Sequence, residues 1–159
     1  MKFSKTRIVI IGLGLIVGLL ILLASAIFVL PELSIEVARA NPELQDMRIP
    51  MLLLGEVVLV AVGLAILFAF SLLRLAYNGK AFTRTAVQTL SLIGWIFLFP
   101  ILPLIAIIVF TQSRVTGSIT NIYFAVGAGG FFILGNLIHL LAELFAKGSG
   151  YKQDYDLTI

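Results

Sequence analysis

The sequence contains no cysteine and a single histidine, His139. A disulfide framework and a cysteine-built zinc site are therefore excluded. Charge is scarce as well. Only 12% of residues are Asp, Glu, Lys or Arg, about half of the ~25% usual in soluble domains. Intrinsically disordered chains are polar and highly charged, so disorder is excluded too. There is no phosphate-binding Gly-Lys-Ser/Thr loop and no His-Glu-x-x-His zinc motif. Gly12, Gly14 and Gly18 sit in an apolar run with no strand before them, which is not a dinucleotide fingerprint. No serine or threonine has a plausible histidine partner, because His139 itself lies within an apolar run. No catalytic constellation, metal or cofactor is expected.

Apolar side chains are what the chain has in excess. They make up 60% of it, and the mean hydropathy is +1.13. A soluble fold of 159 residues could not bury that much apolar surface and keep a wettable exterior. The chain reads as an integral membrane protein. A bilayer core ~30 Å thick needs ~20 apolar residues in helical form. Four runs qualify: Ile8–Leu30, Met51–Leu73, Leu90–Phe110 and Ile122–Phe145. They predict an all-α, four-helix membrane bundle that occupies the chain as a single domain. Lys2, Lys5 and Arg7 ahead of an apolar run, with Ala24-Ser25-Ala26 inside it, resemble a signal peptide. The run continues to Leu30, beyond that site, so an uncleaved helix is expected.

Charge placement orients the spans. Lys2, Lys5 and Arg7, the 74–89 loop (Arg74, Lys80, Arg84) and the tail (Lys147, Lys152) carry eight of the eleven basic residues. Arg39, Arg48 and Arg114 fall in the two alternate loops. The positive-inside rule then places both termini and the 74–89 loop in the cytoplasm. The 31–50 loop, with Glu32, Glu36, Glu43 and Asp46, lies outside. The net charge of +3 is thus a basic inner face, not the clustered patch that direct nucleic-acid binding requires. The 31–50 loop opens at Pro31 and closes at Pro50, and Leu33 and Val37 share a helical face, so one or two short interfacial helices are expected there.

The 74–89 loop carries the sharpest local signals. Asn78-Gly79 marks a turn. Thr83 is placed to cap a helix starting near Arg84, with Phe82 and Val87 at the spacing of a hydrophobic staple. Thr85 with Gln88 is an alternative capping box. Pro100 and Pro103 should kink the third span.

That loop, in the context NGKAFTRTAVQTLSLIGW, resembles the Gly-x-x-Phe-Ser/Thr signature of a bacterial family, domain of unknown function 2975. Gly79, Phe82 and Thr83 hold the signature positions, and Asp156, Leu157, Thr158 and Ile159 resemble the family's acidic-Leu-Thr-Ile/Val ending. The resemblance implies a four-span bacterial inner-membrane protein without settled biochemistry. It also implies a regulatory partner, such as a small helix-turn-helix protein encoded nearby, and marks these six residues ahead of Ile159 as a partner-binding set. The tail departs from the family pattern, since Gly148-Ser149-Gly150 is expected to interrupt its helix.

Inside the spans, few polar residues could carry chemistry. Glu56 lies six residues past Pro50, where an ionised carboxylate is costly and must pair, face other helices or hold a proton. It is a proton- or cation-coupled site or a structural carboxylate. Asn136, His139 and Glu143 share a helical stripe, readable as an interhelical polar seam or a proton relay. Small residues at Gly14/Gly18 and Ala125/Gly129 mark close helix contacts, within the bundle or between copies. Three functions are compatible with these residues. One is a non-enzymatic regulatory or sensory protein acting through a cytoplasmic partner. The second is a small proton-coupled transporter or toxin-immunity protein using Glu56. The third is a subunit of a larger membrane complex.

Overall fold

A computed structural model describes residues 5–115 and 119–156. Helices α1 (Lys5–Ala24) and α2 (Leu30–Ala40) are joined without a break by a π-helical turn at Ser25–Val29. A 3-10 helix, Pro42–Met47, leads into α3 (Arg48–Tyr77). Then follow α4 (Arg84–Leu98), α5 (Ile101–Arg114) and α6 (Ile119–Asp156). Four helical stretches are long and apolar enough to cross a membrane: Lys5–Ala40, Pro42–Tyr77, Arg84–Arg114 and Thr120–Ser149.

The packing is that of a protein immersed in lipid. Large apolar side chains point outward from every span, among them Ile27 (63% exposed), Leu102 (67%) and Val126 (69%). In water such a surface would aggregate. In hydrocarbon it needs no covering, because the helices satisfy their own backbone. The close contacts instead use small residues and lie between α3 and α4, and between α4–α5 and α6. Ala61, Gly63 and Ala65 are buried on α3, and Gly94 and Gly135 on α4 and α6. Helix α1 lies against α3 and buries no residue of its own.

The expected short helices of the 31–50 segment are present, but the first of them is a continuation of span one. Pro31 is the second residue of α2, directly after the π-helical turn, and has no N–H to donate to that preceding turn. The kink expected in the third span falls at a two-residue turn between two helices, where the backbone stays right-handed. Helix α4 ends at Leu98, Phe99–Pro100 forms a turn, and Pro103 lies in the first turn of α5.

The 78–83 connection follows from its residues. Gly79 has a φ of +73°, the left-handed conformation that closes α3. Its N–H bonds the carbonyl of Ala76 (3.1 Å) and that of Lys80 bonds Leu75 (2.8 Å), a Schellman arrangement that satisfies two helix-end carbonyls. Thr83 is the N-cap of α4, its Oγ1 accepting from the Ala86 N–H at 3.4 Å. The expected interruption at Gly148-Ser149-Gly150 does not occur, and α6 continues through it to Asp156. Glycine costs a helix about 1 kcal/mol per residue, which lowers stability without breaking the ladder. Ser149 satisfies its hydroxyl on the Ala146 carbonyl of its own helix (2.7 Å).

Candidate functional site

Two clusters gather the residues that the sequence singles out. The first is the α4–α6 seam. Gly135 brings the helices so close that a Cβ on it would lie 3.1 Å from the Gly94 carbonyl oxygen and 2.7 Å from the Leu98 side chain. One turn along α6, His139 fills the space left by Gly94. A Cβ on Gly94 would meet the imidazole Cδ2 and Nε2 at 2.9 Å. Trp95 meets that ring edge-on, with centroids 5.0 Å apart and planes at 74°. Nε2 of His139 is buried and has no protein hydrogen-bond partner.

The polar stripe is therefore split. Of its three members only His139 turns into the seam. Asn136 and Glu143 are exposed, and Asn136 donates to the Phe132 carbonyl of its own helix at 2.8 Å. Gly135 and His139 face α4, four residues apart, and Ala142, three residues further on, is buried. Asn136 and Glu143 follow these positions by one residue, about 100° further round the helix. Among the described residues, no three His, Asp or Glu side chains gather to hold a metal.

Trp95 also lines a lipid-facing groove between α3 and α4. The groove measures about 550 Å³, and Leu53, Val60, Leu64 and Phe99 form much of its wall. Glu56 is half-buried on the same wall and is the only acidic group there. Its neighbour Gly55 faces the opposite way and admits Leu30 of α2. Trp95 thus stands between a carboxylate and an imidazole that sit on separate seams.

The second cluster is the 78–83 connection with α6. Phe82 stacks on Phe145, with centroids 4.9 Å apart and planes 19° apart. The Phe82 ring reaches Gly148 one turn later, where a Cβ would sit 3.6 Å away. Arg7, Ala76, Ala81 and Phe145 line one cleft, so the N-terminal helix start, this connection and the end of span four meet at one end of the molecule. Each signature residue has a mechanical role here: Gly79 closes α3, Thr83 opens α4, and Phe82 clamps both to α6. Asp156 is the last described residue of α6, and Leu157, Thr158 and Ile159 lie outside the described residues.

Sequence reasoning did not single out Gly94, Trp95, Gly135 or Phe145. A glycine within an apolar span is an available signal for a close approach, but the sequence does not say which of its many glycines is used. The model of a family described as protein of unknown function (DUF2975) matches residues 32–159. No curated protein and no solved structure matches the chain.

Proposed function

Since the chain belongs to the family of proteins of unknown function DUF2975, we propose that it is a non-enzymatic regulatory or sensory protein of the bacterial inner membrane. In this reading both termini and the 78–83 connection face the cytoplasm, as the basic residues at that end favour. The observation that carries it is the Phe82–Phe145 stack. It fastens the connection between the second and third spans to the fourth. Helix α6, 38 residues and roughly 57 Å long at 1.5 Å per residue, then runs past any bilayer core of ~30 Å. A shift of the spans is delivered by a stiff helix to the tail that ends Asp156-Leu157-Thr158-Ile159. A cytoplasmic partner, such as the small helix-turn-helix regulator the family resemblance implies, reads the position of that tail.

Crosslinking and capture from membranes, with the full chain and with a chain lacking residues 148–159, tests the proposal. A partner lost with the tail supports it. An unchanged set of partners refutes it.

A second reading rests on the groove beside Glu56. There the chain is a small proton-coupled transporter or immunity protein, and Glu56 carries the proton. Glu56→Gln abolishes activity in a proton-coupled uptake or resistance assay under that reading. It changes nothing under the regulatory one.

A further inference from the structure

The end of the molecule opposite the Phe82–Phe145 clamp holds a two-part pocket that neither reading uses. Its inner part is a narrow apolar chamber of about 70 Å³ between α2, the 3-10 helix, α3 and α6. Leu30, Val37, Leu44, Leu52 and Phe124 form most of the wall, and Ser34 and Thr120 are among its few polar residues. Its mostly aliphatic lining suits the end of an apolar chain. The outer part is a more polar pocket that includes Arg39, Pro42 and Gln45. Arg48 lines both parts.

The state of Arg48 is unusual on two grounds. Its Nε is buried and has no protein hydrogen-bond partner, although buried polar groups are normally satisfied. The nearby acids also point elsewhere. Glu32 and Glu36 line a groove with Phe28 that adjoins the chamber through Leu33 but contains no arginine, and Glu43 and Asp46 are exposed on the 3-10 helix. Arg114 of α5 is exposed. Close by on the chain, Thr111 Oγ1 and Asn121 Oδ1 are likewise buried without partners, while the Asn121 amide donates to Gln112 Oε1 at 2.8 Å. Three of the four buried, unpartnered side-chain atoms among the described residues thus belong to this end.

We propose that this pocket binds an anionic amphiphile, a long-chain carboxylate or phosphate, with the head group on Arg48 and Arg39 and the chain end in the apolar chamber. An anion restores a partner to the guanidinium. A chain fills a space lined by aliphatic side chains. The inference stands independently of the regulatory reading.

The test is native mass spectrometry of the full chain in a neutral detergent, titrated with hexadecanoate, hexadecyl phosphate, hexadecanol, inorganic phosphate and phosphatidylglycerol. The two single-chain anions are expected to bind at least tenfold more tightly than hexadecanol or inorganic phosphate. Arg48→Gln removes that preference, and Leu52→Trp, which fills the chamber, weakens both anions. Circular dichroism confirms that the variants keep their helix, and Arg48→Lys retains binding of the anions. Phosphatidylglycerol bound as tightly as hexadecyl phosphate identifies bilayer lipid as the source. Its exclusion identifies a free single-chain amphiphile. Equal affinity for hexadecanol or for inorganic phosphate overturns the proposal. So does unchanged binding in Leu52→Trp or in a folded Arg48→Gln.

Discussion

The imidazole of His139 stands over Gly94, close enough that a methyl group on Gly94 would lie 2.9 Å from two ring atoms. Helix α4 has no room for a side chain there, and the ring also packs edge-on against Trp95. Gly94→Ala therefore forces α4 and α6 apart or drives the ring off its rotamer. Overpacking of this kind costs about 1–3 kcal/mol. The midpoint of thermal unfolding in detergent is expected to fall. Gly129→Ala is the control: nothing lies within 4 Å of the added carbon, so only the helix penalty of glycine is removed and the midpoint should hold or rise. A Gly94→Ala chain as stable as the parent shows that the seam is looser than its geometry.

The turn at Gly79 makes an independent prediction, set by the backbone alone. Its φ of +73° is strained for a side chain, although nothing lies within 4 Å of an added Cβ. The strain of a left-handed residue is about 1–2 kcal/mol for alanine and less for asparagine, whose side chain bonds locally. Gly79→Ala should destabilise the chain by roughly that amount. Gly79→Asn should recover most of the loss. Chemical denaturation of both variants checks the order. Equal losses in the two would assign the effect to something other than the backbone angle.

The ease of reading these positions from sequence differs for physical reasons. The spans are legible because each is a long charge-poor run, and the bilayer sets its length. Thr83 and Asn78-Gly79 are legible because caps and turns are local, determined by residues within one turn of each other. The stripe of Asn136, His139 and Glu143 is legible as a helical face, yet only His139 enters the seam. Which side of an apolar helix meets a neighbour is not encoded by polarity when lipid and protein interior are equally apolar. The turn at Pro100 is foreseeable, whereas the continuation of α6 through Gly148 and Gly150 is not. A glycine penalty is small enough for the rest of the helix to outweigh it. Arg48 is visible in the sequence only as a charge that orients a loop. Its place between two chambers needs the fold.

The Phe82–Phe145 stack should behave as a coupled pair. Aromatic pairs contribute about 0.5–1.5 kcal/mol beyond the area they bury. Phe82→Ala and Phe145→Ala are each expected to loosen the 78–83 connection, seen as faster amide exchange at Lys80–Thr83. The double variant should lose less than the sum of the two, because the second substitution removes a partner already lost. Strict additivity would show that the rings are neighbours without an energetic link, and would weaken the mechanical route from the connection to α6.

Gly148 offers a change in the stabilising direction. It sits inside α6, and a Cβ there would make ordinary contact with the Phe82 ring at 3.6 Å. Gly148→Ala removes a helix penalty of about 1 kcal/mol and adds a contact to the stack. Gly148→Pro does the reverse, removing a donor and clashing with the preceding turn at a cost of about 3 kcal/mol. Amide exchange across Ala146–Asp156 should slow in the first variant and accelerate in the second, while the spans stay protected in both. If α6 is the element that carries a signal to the tail, partner capture follows the same order: retained with alanine, lost with proline. Capture that is indifferent to the proline would leave the helix intact as a structural feature and remove it from the signalling route.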